Sequence, residues 1–131
     1  MTTKTLTVKT GTHAEMLDIT AQVQQAVRES GVGEGTCLVY VPHTTAAVTI
    51  NENADPAVRR DLIMELDKVI PWEDGYRHLE GNSAAHLKAS LVGFSTEIPV
   101  VDGGLLLGTW QGIYFCEYDG PRTRRVVVQV R

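Results

Sequence analysis

Long apolar runs are missing from this chain. Nothing approaches the roughly 18 consecutive apolar residues of a membrane helix, and Met1-Thr2-Thr3-Lys4 leads into an alternating segment without the apolar stretch of a secretory signal. The expectation is a cytoplasmic protein with no membrane partner. Cysteine is scarce as well. Cys37 and Cys116 lie far apart, each inside an apolar run, and match no metal or redox spacing, so they read as buried reduced thiols rather than a disulfide. Clustered Lys and Arg are also lacking, and a net charge of −4 argues against nucleic acid, whose phosphates are bound by grouped cations. No Gly-x-Ser-x-Gly nucleophile motif is present.

What is present suits a folded domain. Hydrophobic residues make up 43% and charged residues 21%, ordinary proportions for a globular protein, and 131 residues correspond to one domain spanning 1–131. Thr3 to Lys9 alternates with strand period, and Ala21 to Ser30 carries Val23, Ala26 and Val27 at helical spacing before Gly31. Thr36 to Glu52 is strand-like but too long for one strand, and Pro42 is the expected break. Asp55-Pro56 signals a helix start, with Val58, Leu62, Leu66 and Val69 on one stripe and Pro71 beyond. Ser83 to Leu91 reads as a third helix with Leu87 and Leu91 inward. Further strands are expected over Ser95–Val101, Leu105–Trp110, Ile113–Glu117 and Arg124–Arg131. This is an α+β pattern: mainly antiparallel sheets, sandwich-like, with about three helices packed against them.

Three histidines fall in polar settings, His43 after Pro42, His78 in Arg77-His78-Leu79-Glu80, and His86 in the first turn of the third helix. Imidazole serves both as acid/base and as metal ligand. With Glu52 or Glu80 nearby, three imidazoles would suit a zinc-like ion, although the spacing alone is weak evidence. His13 reads as a solvated side chain. Asn51-Glu52-Asn53-Ala54-Asp55 gathers polar groups where a strand hands over to a helix, and turn formation alone explains most of them. Gly108-Thr109-Trp110-Gln111-Gly112 marks either a close backbone approach by a ligand or subunit, or a packing Trp at a sheet bend. Glu117, Asp119, Arg122, Arg124 and Arg125 bring both charge signs to one hairpin, which is either an anion site or a solvated tip.

Together, His43-Thr44-Thr45-Ala46-Ala47, Asn51-Glu52 with Asp55-Pro56, Glu80-Gly81 leading to His86-Leu87-Lys88, and Gly108-Thr109-Trp110-Gln111-Gly112 resemble the signature segments of the YjbQ family, also named the secondary thiamine-phosphate synthase family. The resemblance runs over nearly the whole chain. It implies a homotrimer and a weak ability to join a hydroxymethylpyrimidine diphosphate to a thiazole phosphate, a transferase reaction on small phosphorylated metabolites. It implies a metal held by His43, His78 and His86, zinc-like by its ligands, with magnesium an option for diphosphate chemistry. His43, Glu52, Glu80 and His86 then stand as catalytic candidates, and Thr44, Thr45, Asn51, Lys88, Thr109, Trp110, Gln111, Glu117, Arg122 and Arg124 as substrate-binding ones. The alternatives are a metal-dependent hydrolase with Glu52 or Glu80 as base, and a non-enzymatic metal- or metabolite-binding protein.

Overall fold

The computed structural model describes residues 1–131. Its elements run β1 (Thr2–Lys9), β2 (Glu15–Asp18), α1 (Thr20–Ser30), β3 (Gly35–Tyr40), β4 (Ala46–Glu52), α2 (Pro56–Val69), α3 (Ser83–Val92), β5 (Ser95–Val101), β6 (Gly104–Leu105), β7 (Gln111–Glu117) and β8 (Thr123–Val130). Five strands form one sheet in the order β1-β8-β3-β5-β6 and three form another, β2-β7-β4. Every pairing is antiparallel. The α+β architecture expected from the sequence is the one found.

The alternation of β8 explains the five-stranded sheet. Val126, Val128 and Val130 are buried while Arg125 faces solvent, so one face is covered and the other wet. The covered face meets Phe115, Ile113 and Val48 of the smaller sheet and Ile19, Val23 and Val27 at helix α1 in one apolar cluster. The other face of the smaller sheet, with Ala47, Tyr114 and Cys116, packs on Ala85 and Ala89 of α3 and on Leu62, Ile63 and Leu66 of α2. Strand β7 is therefore covered on both sides, which accounts for its continuous rather than alternating apolar run. Cys37 and Cys116 are free and buried, as expected.

Helix α2 begins as its sequence signals: Ala57 N–H donates to Asp55 Oδ1 at 2.9 Å, with Pro56 in the first helical position. Helix α3 corrects an expectation. Leu87 and Leu91 face outward, and the buried face is Ala84, Ala85, Lys88 and Ala89. Small side chains let the helix lie close on the sheet, and that proximity outweighs the burial two leucines would have gained. Lys88 tolerates burial because its ammonium pairs with Asp67 of α2.

Two further elements differ from the sequence reading. Glu15–Asp18, to which the sequence reading assigns no element, is an edge strand that pairs with Tyr114–Glu117. Leu105–Trp110, expected as a strand, contributes only Gly104–Leu105 to a sheet, after which the chain turns. Gln111 closes that turn twice, its N–H donating to Gly108 O at 3.0 Å and its Oε1 accepting from Gly108 N–H at 2.8 Å.

A polar pocket of histidines and arginines

At the end of the smaller sheet where β4 begins and β7 finishes, loops and strand ends enclose a cavity of about 350 Å³. Its nine lining residues include none that is apolar: His43, Thr44 and Thr45 from the β3–β4 connection, His78 and Glu80 from the α2–α3 connection, Asn82 and His86 at the start of α3, and Arg122 and Arg124 at β8. The three histidines singled out from the sequence thus share one site.

Beneath the pocket lies a buried ion pair. Glu117 is fully buried, and Arg124 Nε donates to its Oε1 at 2.8 Å while Arg124 Nη2 bonds its Oε2. Thr10 Oγ1 donates to the same carboxylate at 2.8 Å, and Arg124 Nη2 also donates to Thr45 Oγ1 at 2.9 Å. Burial alone would push the Glu117 carboxyl up, but the bonds from Arg124 and Thr10 prevail and hold it below its ordinary range. Arg124 is thereby fixed in one geometry by Nε and Nη2, and Nη1 is the guanidinium nitrogen left without a protein partner on this pocket-lining side chain. Glu117 supports the pocket from below rather than lining it.

Arg122 is held differently. Its Nε donates to Asp119 O at 2.8 Å and its Nη2 to Asp119 Oδ2 at 3.0 Å, while half of its side chain stays in solvent. Asp119 Oδ2 also accepts from Asn82 Nδ2 at 2.8 Å, so one carboxylate ties the hairpin to the start of α3. His13, read as a solvated side chain, is exposed, with one edge of its ring against Trp72 at 4.5 Å between ring centres and 3.8 Å from Asp119.

His43 has a definite role. Beyond Tyr40, where the β3–β8 ladder ends, its Nε2 accepts the backbone N–H of Arg125 at 2.9 Å. A neutral imidazole has one lone pair, so His43 carries its proton on Nδ1 and acts as a donor. Burial, then the charges of Arg124 and Arg125, lower its pKa from the ordinary 6.5. Between 6.5 and this lowered value the unfolded chain binds a proton that the folded chain refuses, so stability falls as pH falls through that window. Glu117, with its pKa depressed, gives stabilisation that is complete above the ordinary 4.5 and disappears as pH falls through its folded value. Urea midpoints measured against pH will therefore show the parent losing stability below about pH 6.5 relative to His43→Gln, which cannot charge. Parallel curves in that window would contradict this.

His78 and His86 meet edge to face, 5.3 Å between ring centres at 89°. Glu80 Oε1 lies 3.9 Å from His78 Nε2.

The remaining candidates lie elsewhere. Asn51, Glu52, Thr109, Trp110 and Gln111 sit at the opposite end of the smaller sheet, where Glu52 pairs with Gln111 while Ala46 pairs with Glu117. Six strand steps, about 20 Å, separate those ends. Local bonds account for much of that cluster: Asn53 N–H donates to Trp110 O at 2.9 Å, Glu52 N–H to Asn51 Oδ1 at 2.7 Å, and Tyr114 Oη–H to Glu52 O at 3.0 Å. A Cβ on Gly112 would meet Asn53 at 2.9 Å, so the close approach this glycine signals is an internal one. Trp110 is exposed rather than packed in a sheet bend. Lys88 points to Asp67, away from the pocket.

A sequence model of the family described as UPF0047 protein YjbQ-like matches residues 4–131. The chain belongs to that family. It is 54% identical over 128 residues to the UPF0047 protein YugU of Bacillus subtilis, covering 97% of each chain. A crystal structure of a YjbQ/UPF0047-family protein from Clostridium acetobutylicum superposes with a TM-score of 0.96 at 54% identity, covering 98% of this chain and 99% of that one. A Sulfolobus solfataricus protein, described as YbjQ-like and of unknown function, gives 0.95 at 35% identity over 98% of this chain and 95% of its own.

These findings correct the functional expectation. The relatives carry family names alone, and no thiamine-phosphate synthase or other activity on phosphorylated molecules is attached to them. The expected metal centre is not formed either: no group of three or more His, Cys, Asp or Glu side chains is arranged to hold a metal ion. The physical reason is at His43, whose single lone pair is taken by Arg125 N–H, while Arg122 and Arg124 place cations beside the other two rings. The metal-dependent hydrolase and metal-binding alternatives fall with the same geometry. Two residues that sequence reasoning missed are Thr10 and Asn82. Thr10 carries no signal in its loop, whereas Asn82, directly before α3, reads as a helix cap and does other work.

Proposed function

We propose that the pocket binds a small anionic metabolite through a phosphate or carboxylate group. The observation that carries this reading is Arg124, a pocket-lining guanidinium locked by Glu117 and Thr45 through Nε and Nη2, with its Nη1 left without a protein partner. A pre-organised guanidinium recognises planar or tetrahedral oxyanions well. Arg122, the Nδ1–H of His43 and the hydroxyls of Thr44 and Thr45 add donors around the same space.

Sulfate, a dianion across the accessible pH range, is the probe for the anionic group: in calorimetric titrations it should bind saturably, and loss of either guanidinium should weaken it. Absence of saturable sulfate binding sinks the reading.

The reading also places the chain in the cytoplasm as a homotrimer. Two free buried thiols fit a reducing compartment, and exposed Leu87, Leu91 and Trp110 offer apolar surface for self-association. No helix is long and apolar enough to cross a membrane. Light scattering should return three times the chain mass, and a monomer's mass removes the assembly from the proposal.

A further inference from the structure

The pocket also has acceptors, and they adjoin Arg122, since Asn82 Nδ2 and Arg122 Nη2 donate to the same oxygen, Asp119 Oδ2. Asn82 is 6% exposed, and its Nδ2 donates to Asp119 Oδ2 at 2.8 Å and to Glu80 Oε2 at 3.4 Å. Those two carboxylates set the orientation of the amide, so the carbonyl oxygen Oδ1 is the end left over. It is the one buried side-chain nitrogen or oxygen in the chain without a partner. Asparagine before a helix usually gives this oxygen to the N–H groups of the first turn. Here the helix receives no side-chain cap, and Asn82 is held by Asp119 instead. Beside it stands Glu80, whose carboxylate is mostly in solvent at the pocket wall.

We infer that the ligand is a zwitterion: besides its anionic group it carries a primary ammonium, received by Glu80 and Asn82 Oδ1. An ammonium has three donors and no acceptor, which suits a carboxylate and an amide carbonyl lying together. The long Asn82 Nδ2–Glu80 contact is the one that gives way, so that Glu80 turns to the ligand and the Asn82 amide, released on that side, can shift to bring Oδ1 to the same donor. Arg122, Arg124 and the donor His43 then hold the anion beside the ammonium, so the two charges of the ligand lie close together, with His78 3.9 Å from Glu80. This inference rests on the anion-binding reading and adds the ligand's second charge.

The test compares two probes of similar size by calorimetry near neutral pH, ethyl phosphate and phosphoethanolamine, on the parent and on Glu80→Gln, each checked for an unchanged thermal unfolding transition. The parent prefers phosphoethanolamine by about tenfold, and Glu80→Gln brings the ratio of the two affinities close to unity. Equal affinities in the parent, or a preference that survives in Glu80→Gln, overturn the inference while leaving anion binding intact. If neither probe binds, the anion-binding reading fails and the inference with it.

Discussion

Replacing Glu117 with alanine is expected to destabilise the fold by about 3–5 kcal/mol, because it strands a guanidinium in the interior. Arg124 is 4% exposed and has no other carboxylate paired with it, and Thr10 is left with Arg122 O as the acceptor of its hydroxyl. The desolvated charge, rather than the lost attraction, dominates the penalty. For that reason the double variant Glu117→Leu with Arg124→Leu should recover a large part of the loss, since apolar residues of similar volume often replace a buried pair without penalty. Urea unfolding of Glu117→Leu, Arg124→Leu and the double variant completes the cycle. Additive losses would show that the pair is not coupled, and the account of how Arg124 is positioned would fail. The double variant should also be blind to anions even though it folds, separating the role of the pair in binding from its role in stability.

Arg122→Ala is expected to weaken sulfate or phosphate binding by about ten- to a hundredfold, the range set by roughly 1.5–3 kcal/mol for a hydrogen bond to a charged group. Its side chain is half exposed, and the largely buried Asp119 keeps its bond from Asn82 Nδ2 when Arg122 is removed, so the effect on folding should be small, about 1 kcal/mol. A clean loss of affinity with a preserved unfolding midpoint is the expected result of calorimetry and urea unfolding together. Unchanged affinity would remove Arg122 from the site and leave Arg124 Nη1 as its only guanidinium donor.

Much of the fold was legible because local chemistry and tertiary packing agree. The Asp55-Pro56 start, the alternation of Val126, Val128 and Val130 and the break at Pro42 each correspond to an element found. Helix α3 was misread because periodicity favours leucines as the inward face, whereas close approach to β4 selects Ala84, Ala85 and Ala89. Strand β2 was invisible because four residues with one buried Met carry too little pattern.

The site was legible in its parts and not in its assembly. His43, His78 and His86 stood out as imidazoles in polar segments, and Arg122 and Arg124 as cations of one hairpin. That Arg124 turns inward to a buried Glu117 depends on Thr10, more than a hundred residues away in sequence. That His43 is a donor depends on a backbone N–H of β8, 82 residues on. Neither relation leaves a trace in spacing. The resemblance grouped the three histidines as metal ligands; the structure lines one pocket with them, and the bond from Arg125 to His43 takes the lone pair a metal would need.

The most direct test is a titration of uniformly labelled protein with sulfate near pH 7.5, followed by NMR of backbone amides and imidazole resonances. The account predicts saturable shifts confined to the pocket, at Thr44, Thr45, His78, Asn82, His86 and Arg124, with His43 remaining neutral and protonated on Nδ1. Saturable shifts centred instead on Trp110 and Glu52 at the far end of the sheet, or no saturation at all, would contradict it.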